Sequence, residues 1–126
     1  MKFTIDRQEK YNVLKCDEEK LDSTISPELK SEFLTINGQG VNNLIVDLAD
    51  VKYVDSSGLS ALLVGNRIFT EAGGSFVLCN VSDHAKKLIS ISQLDSVLSV
   101  TQSVEEAVDL VFLNDLEQGF EAEGGE

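Results

Sequence analysis

The chain has 126 residues, 42% of them apolar, and a formal net charge of −12 from 22 acids against ten bases. That is material for one compact domain and too little for two ordinary ones. A surface this acidic repels phosphate backbones and anionic headgroups, which excludes nucleic-acid binding and membrane-surface binding as the main task and points to a partner with a basic face. The charge is uneven: residues 114–126 hold five acids and no base, and residues 1–113 hold 17 acids against ten bases. With few apolar residues to bury, the stretch 114–126 is expected to be a disordered acidic tail behind a domain spanning 1–113. There is no apolar run of about 18 residues, as a membrane span needs. Met1 to Asp6 lacks the apolar centre of a signal peptide, so no membrane insertion and a cytoplasmic location are expected.

Two strand-like segments come first. Lys2–Arg7 and Tyr11–Cys16 flank the polar Gln8-Glu9-Lys10 and read as an opening hairpin. Ser26-Pro27-Glu28 reads as a helix cap followed by proline at the first helical position, and Leu29, Phe33 and Ile36 then share one face until Asn37-Gly38. Asn43–Leu48 is a nearly continuous aliphatic run, as in a central strand covered by helices. After Val51-Lys52-Tyr53-Val54 a strand hands over to a helix predicted over Ser57–Ala72. Leu59, Leu62 and Leu63 form one stripe of it, Ala61, Val64 and Ile68 an adjoining one, and Gly73-Gly74 ends it. Ser75–Val81 reads as the next strand, Asp83–Ser90 as a helix with Ala85, Leu88 and Ile89 inward, and Val97–Val100 as a short last strand. Ser103 and Glu106 form a capping box ahead of a helix expected from about Val104 to Leu113. Strands alternating with helices predict an α/β layer with a largely parallel or mixed sheet, whose functional site lies beyond the carboxyl ends of the strands.

That is where Asp55-Ser56-Ser57-Gly58 falls. A helix start leaves backbone N–H groups unpaired and carries roughly half a positive charge, so it suits an anion. Ser56 and Ser57 are therefore candidate phosphate acceptors, with Gly58 leaving the helix start open to close approach. The plainer alternative is that one of these serines caps the helix. Other features fit no chemistry. Ser57 has no Gly-x-Ser-x-Gly elbow, and the only histidine, His84, reads as a surface residue. Gly38-Gln39-Gly40 lacks the Lys-Ser/Thr of a phosphate loop and reads as a turn. Lys86-Lys87 reads as a solvated helix face, and Asp17-Glu18-Glu19 has no calcium-loop spacing. Cys16 and Cys79 read as buried reduced thiols. No catalytic residue, metal or cofactor is assigned.

Asp55-Ser56-Ser57-Gly58-Leu59, placed after Leu44-Ile45-Val46-Asp47-Leu48, resembles the signature of the STAS domain family and, within it, the anti-sigma factor antagonists. Leu21-Asp22-Ser23-Thr24, Gly73-Gly74-Ser75-Phe76-Val77-Leu78-Cys79 and Ala85-Lys86-Lys87-Leu88-Ile89 extend the resemblance to about Phe112. It implies a mixed sheet of about four to five strands with about four helices packed largely on one face. It also implies a non-catalytic module that binds an anti-sigma factor, often a serine kinase, and frees a sigma factor. Phosphorylation by that kinase on Ser57, the second hydroxyl of the motif, with Ser56 as the alternative, would end the capture, and a separate phosphatase would restore it. Asp22 and Asp55 match acidic positions flanking the site, and the docking surface implied comprises Asp22, Asp55, Ser56, Ser57, Gly58, Leu59 and Leu62. A second reading on the same fold is an accessory subunit of a lipid or other membrane transporter ATPase that docks constitutively. A nucleotide-binding or nucleotidase role fits poorly with the acidic surroundings and missing metal ligands. Many antagonists have a Ser-Gly-Leu turn where this chain has Ser92-Gln93-Leu94, so the geometry of that loop is open.

Overall fold

A computed structural model describes the backbone of residues 2–124 and the side chains of residues 2–117. In chain order the elements are β1 (Phe3–Arg7), β2 (Asn12–Cys16), β3 (Lys20–Leu21), α1 (Ser26–Gly38), β4 (Leu44–Asp47), β5 (Tyr53–Val54) and α2 (Ser56–Glu71). They continue with β6 (Phe76–Cys79), α3 (Asp83–Ile91), β7 (Ser99–Thr101) and α4 (Val104–Gly124). Five strands form the main sheet in the order β1-β2-β4-β6-β7, with β1 antiparallel to β2 and every other pair parallel. The mixed sheet and four helices match the expected architecture.

The aliphatic strands are explained by burial on both faces. Leu14, Cys16, Leu44, Val46, Phe76 and Leu78 belong to the large core formed with α1, α2 and α3. Their neighbours Val13, Ile45, Val77 and Cys79 point the other way and pack with Ala107 and Val111 of α4. Three helices thus cover one face and the fourth covers the other. Both thiols are free and buried, and burial raises the pKa of each, that of Cys79 to about 12.

Four details differ from expectation. The strand expected ahead of α2 is only the two residues of β5, and it pairs in parallel with β3, whose two residues are too short for periodicity to reveal, with Lys20 opposite Tyr53 and Leu21 opposite Val54. The last strand starts at Ser99, because Val97 and Leu98 both donate backbone hydrogen bonds to the Leu94 carbonyl and belong to a turn. Ser26 does not cap α1: Ile25 holds that place without a side-chain bond, and the Ser26 hydroxyl donates instead to the Asp22 carbonyl at 2.7 Å.

Finally, α4 does not stop near Leu113. The Ser103 half of its capping box forms, with Glu106 N–H donating to Ser103 Oγ, while the Glu106 carboxylate reaches one residue further back and accepts from Gln102 N–H, both at 3.2 Å. The helix then continues to Gly124, past the end expected near Leu113 and into the stretch expected as a tail, and residues 125–126 lie outside the described residues. Anchors past Leu113 hold it: Asn114 Nδ2 donates to Ser75 Oγ at 3.1 Å, and Asn43 Nδ2 lies 3.5 Å from the Asp115 carboxylate. No described helix is long and apolar enough to cross a membrane.

Candidate functional site

The junction of β5 and α2 is built around Asp55. Its backbone is extended, with φ −101° and ψ −174°, and its Oδ1 accepts from Gly58 N–H at 2.9 Å and from the Ser57 hydroxyl at 2.6 Å. These two bonds, the Ser57 hydroxyl foremost, hold the Asp55 carboxyl below its ordinary pKa, so it is a firm anion at neutral pH. Neither serine caps the helix, contrary to the plainer alternative. Ser57 instead donates to the cap. The helix start also differs from an open anion site, because the chain's own carboxylate already takes the Gly58 donor.

The short β3–β5 ladder brings the Asp22 loop to this point. Asp55 N–H donates to the Leu21 carbonyl at 3.2 Å, which places Asp22 one residue beyond a fixed contact. The Asp22 carboxylate is occupied locally, accepting from Thr24 N–H at 3.0 Å and Thr24 Oγ1 at 2.6 Å. Its carbonyl holds Ser26, whose hydroxyl oxygen lies 3.4 Å from Ser57 Oγ. Ser26 is only 4% exposed and forms the floor under Ser57. Sequence reading missed that role because the Ser-Pro-Glu pattern reads first as a cap.

Three of the expected docking residues face inward. Gly58 is buried, and a Cβ there would lie 2.2 Å from the Leu21 carbonyl oxygen, so this glycine serves the close packing of α2 on β3 rather than access for a partner. Leu59 and Leu62 are 6% and 1% exposed and belong to the core. The outward side of the first turns is instead the exposed Ser56 and Ser60 and the half-buried Ser57 and Leu63. Beside them, exposed Tyr53 stacks on exposed His84 with ring centroids 5.2 Å apart, and His84 Nε2 lies 3.4 Å from the Val54 carbonyl. His84 is thus on the surface, as expected, but it is tied to the strand leading into the site.

In the Ser92-Gln93-Leu94 turn, Gln93 stands where a glycine was expected. Gln93 takes the left-handed conformation, φ +60°, that a glycine would take freely.

Comparison with known proteins agrees with this architecture. The STAS domain profile matches residues 3–107. Over 107 residues the chain is 26% identical to the candidate anti-sigma factor antagonist BtrV of Bordetella bronchiseptica, covering 85% of this chain and 91% of that protein. It is 28% identical to the anti-sigma-B factor antagonist of Bacillus subtilis, over 71% of this chain and 81% of the relative. Among solved structures, the anti-sigma factor antagonist SpoIIAA in its unphosphorylated form superposes with a TM-score of 0.73 at 23% identity, covering 86% and 95% of the two chains. With the profile spanning nearly all of the sheet and its helices, the chain belongs to the STAS domain family.

Proposed function

We propose that this chain is an anti-sigma factor antagonist that works in the cytoplasm as a non-catalytic, phosphorylation-gated binding module. Unphosphorylated, it captures an anti-sigma factor of the serine-kinase type; phosphorylation of Ser57 by that kinase ends the capture, and a phosphatase restores it. The observation that carries the reading is the 2.6 Å hydrogen bond from Ser57 to Asp55 at the start of α2.

This bond sets the hydroxyl for transfer and makes the product incompatible with its surroundings. Phosphoryl transfer from ATP to Ser57 Oγ forms an O–P bond, breaks the bond between the γ-phosphorus and the β,γ-bridging oxygen so that ADP leaves, and releases the hydroxyl proton. Asp55, held below its ordinary pKa, is a poor base; it orients the hydroxyl, and the proton acceptor belongs to the kinase. Afterwards Ser57 has no proton to donate, and a group of about −1.5 to −2 charge stands beside the Asp55 carboxylate. Each pair of unit charges about 4 Å apart costs about 1 kcal/mol in bulk water and about 4 kcal/mol near a protein surface. The helix start returns only about 0.3 to 1 kcal/mol at an exposed site. Repulsion therefore wins, and most strongly inside an interface. The relevant surface is Asp22, Asp55, Ser56 and Ser57 with the outward side of the first turns of α2.

Incubation of the purified chain with its anti-sigma factor kinase and ATP is expected to add one phosphate, mapped by mass spectrometry to Ser57. Ser57→Ala is expected to keep the partner and lose the phosphate. Phosphate found solely on Ser56 would move the switch by one residue, and native purification with a transporter ATPase and no kinase would favour constitutive docking.

A further inference from the structure

The outer side of α4 lies on the opposite face of the sheet from α1, α2 and α3. The core side of this helix is spent on Ala107 and Val111, both fully buried. At 3.6 residues per turn, Glu105, Asp109, Phe112, Leu113 and Leu116 lie within an arc of about 100° on the far side. All five are exposed, with Phe112, Leu113 and Leu116 at 45%, 50% and 65%. Single exposed apolar residues are ordinary, but three on adjoining turns of one helix face form a contiguous patch.

The charge along α4 itself is one-sided. After Lys87 the sequence contains nine acids and no lysine or arginine. No acid of α4 therefore has a basic neighbour three or four positions away, the spacing at which helices usually offset like charge. Both features cost free energy in water, and one kind of occupant removes both. A second copy of this chain would bring acid against acid, and anionic lipid or nucleic acid would be repelled. A helix with apolar residues on one side and lysine or arginine along its margins satisfies the apolar stripe and the acids together.

We propose that the outer face of α4, formed by Glu105, Asp109, Phe112, Leu113 and Leu116, is a second docking surface, for a basic amphipathic helix of a partner protein. This surface is independent of Ser57, because the sheet separates the two, so it stays available in both states of the switch. It would let the chain be held on a scaffold while its other face engages and releases a regulator.

The test uses the full chain, isotopically labelled, titrated with a synthetic peptide of about 18 residues, long enough to be helical, with leucine on one face and lysine on the other. Chemical-shift changes are expected to concentrate on residues 105–117. The double variant Leu113→Ser, Leu116→Ser is expected to bind about tenfold more weakly, as is a peptide of equal charge with serine in place of leucine. Neither leucine belongs to the core, so the double variant is expected to unfold at the wild-type temperature. Ser57→Asp is expected to leave the affinity unchanged. Equal binding by the double variant, shifts centred outside α4, or a stable dimer through α4 that excludes the peptide would each overturn the proposal.

Discussion

Helix α2 opens as Asp55-Ser56-Ser57-Gly58 and helix α3 as Ser82-Asp83-His84-Ala85, and the two starts superimpose position for position in their hydrogen bonding. In each, the residue before the helix accepts from the N–H three places on: Asp55 from Gly58 at 2.9 Å, Ser82 from Ala85 at 3.2 Å. Each helix ends in the same way too. Gly73 and Gly74 donate back to Thr70 and Phe69 behind α2, and Gln93 and Leu94 donate back to Ser90 and Ile89 behind α3. What differs is the chemistry placed on this shared frame. At α3 a neutral hydroxyl caps the helix. At α2 a carboxylate does, leaving the hydroxyl of Ser57 to donate to it and placing a fixed negative charge where any phosphate would go. On the proposed function, the difference is what would turn a helix cap into a switch: the capping group is the anion, and the proposed phosphate acceptor leans on it.

The largest contrast lies at the third helical position. Gly58→Ala drives a methyl into the Leu21 carbonyl and is expected to cost about 3 kcal/mol in urea unfolding, whereas Ala85→Gly at the matching place in α3 is expected to cost about 1 kcal/mol. Similar losses at the two sites would show that the packing of α2 on β3 is not special.

Removing the caps comes next. Asp55→Ala is expected to destabilise the fold by about 1 to 2 kcal/mol and Ser82→Ala by about 1 kcal/mol. Their pH dependence separates them. The folded pKa of Asp55 lies below its unfolded value, so the unfolded chain takes up the proton first. The advantage of wild type over Asp55→Asn is therefore full above pH about 4 and fades as pH falls through the folded value, while the Ser82→Ala deficit stays level over that range. A level Asp55 difference, measured by unfolding at stepped pH, would contradict the charged cap.

The smallest effect concerns the helix ends. Gln93→Gly relieves a left-handed non-glycine residue and is expected to stabilise the fold by about 0.5 to 1 kcal/mol; Gly73→Ala, at φ +85°, is expected to lose about 1 kcal/mol. Thermal unfolding of both variants checks the pair.

Much of this was legible in the residues. The hairpin, the aliphatic strands and helices α1 to α3 follow from periodicity and from Gly and Pro punctuation, because their burial is regular. The β3–β5 ladder was not, since two-residue strands carry no period, and its absence from the reading hid why Gly58 is a glycine. It also made Leu59 and Leu62 look available to a partner, although they complete the core. Ser26 was misread because a serine before proline signals a cap unless a nearer acceptor, here the Asp22 carbonyl, claims its proton. The end of α4 was missed because its anchors are polar: Asn114 and Asp115 read as tail, yet they reach Ser75 and Asn43 across the sheet.

The most direct test of the central claim is a calorimetric titration of the anti-sigma factor kinase with this chain bearing phosphoserine at position 57, beside the unmodified chain. The account predicts that the phosphate weakens binding by about a hundredfold or more, equivalent to about 3 kcal/mol. Equal affinity of the two forms would contradict it.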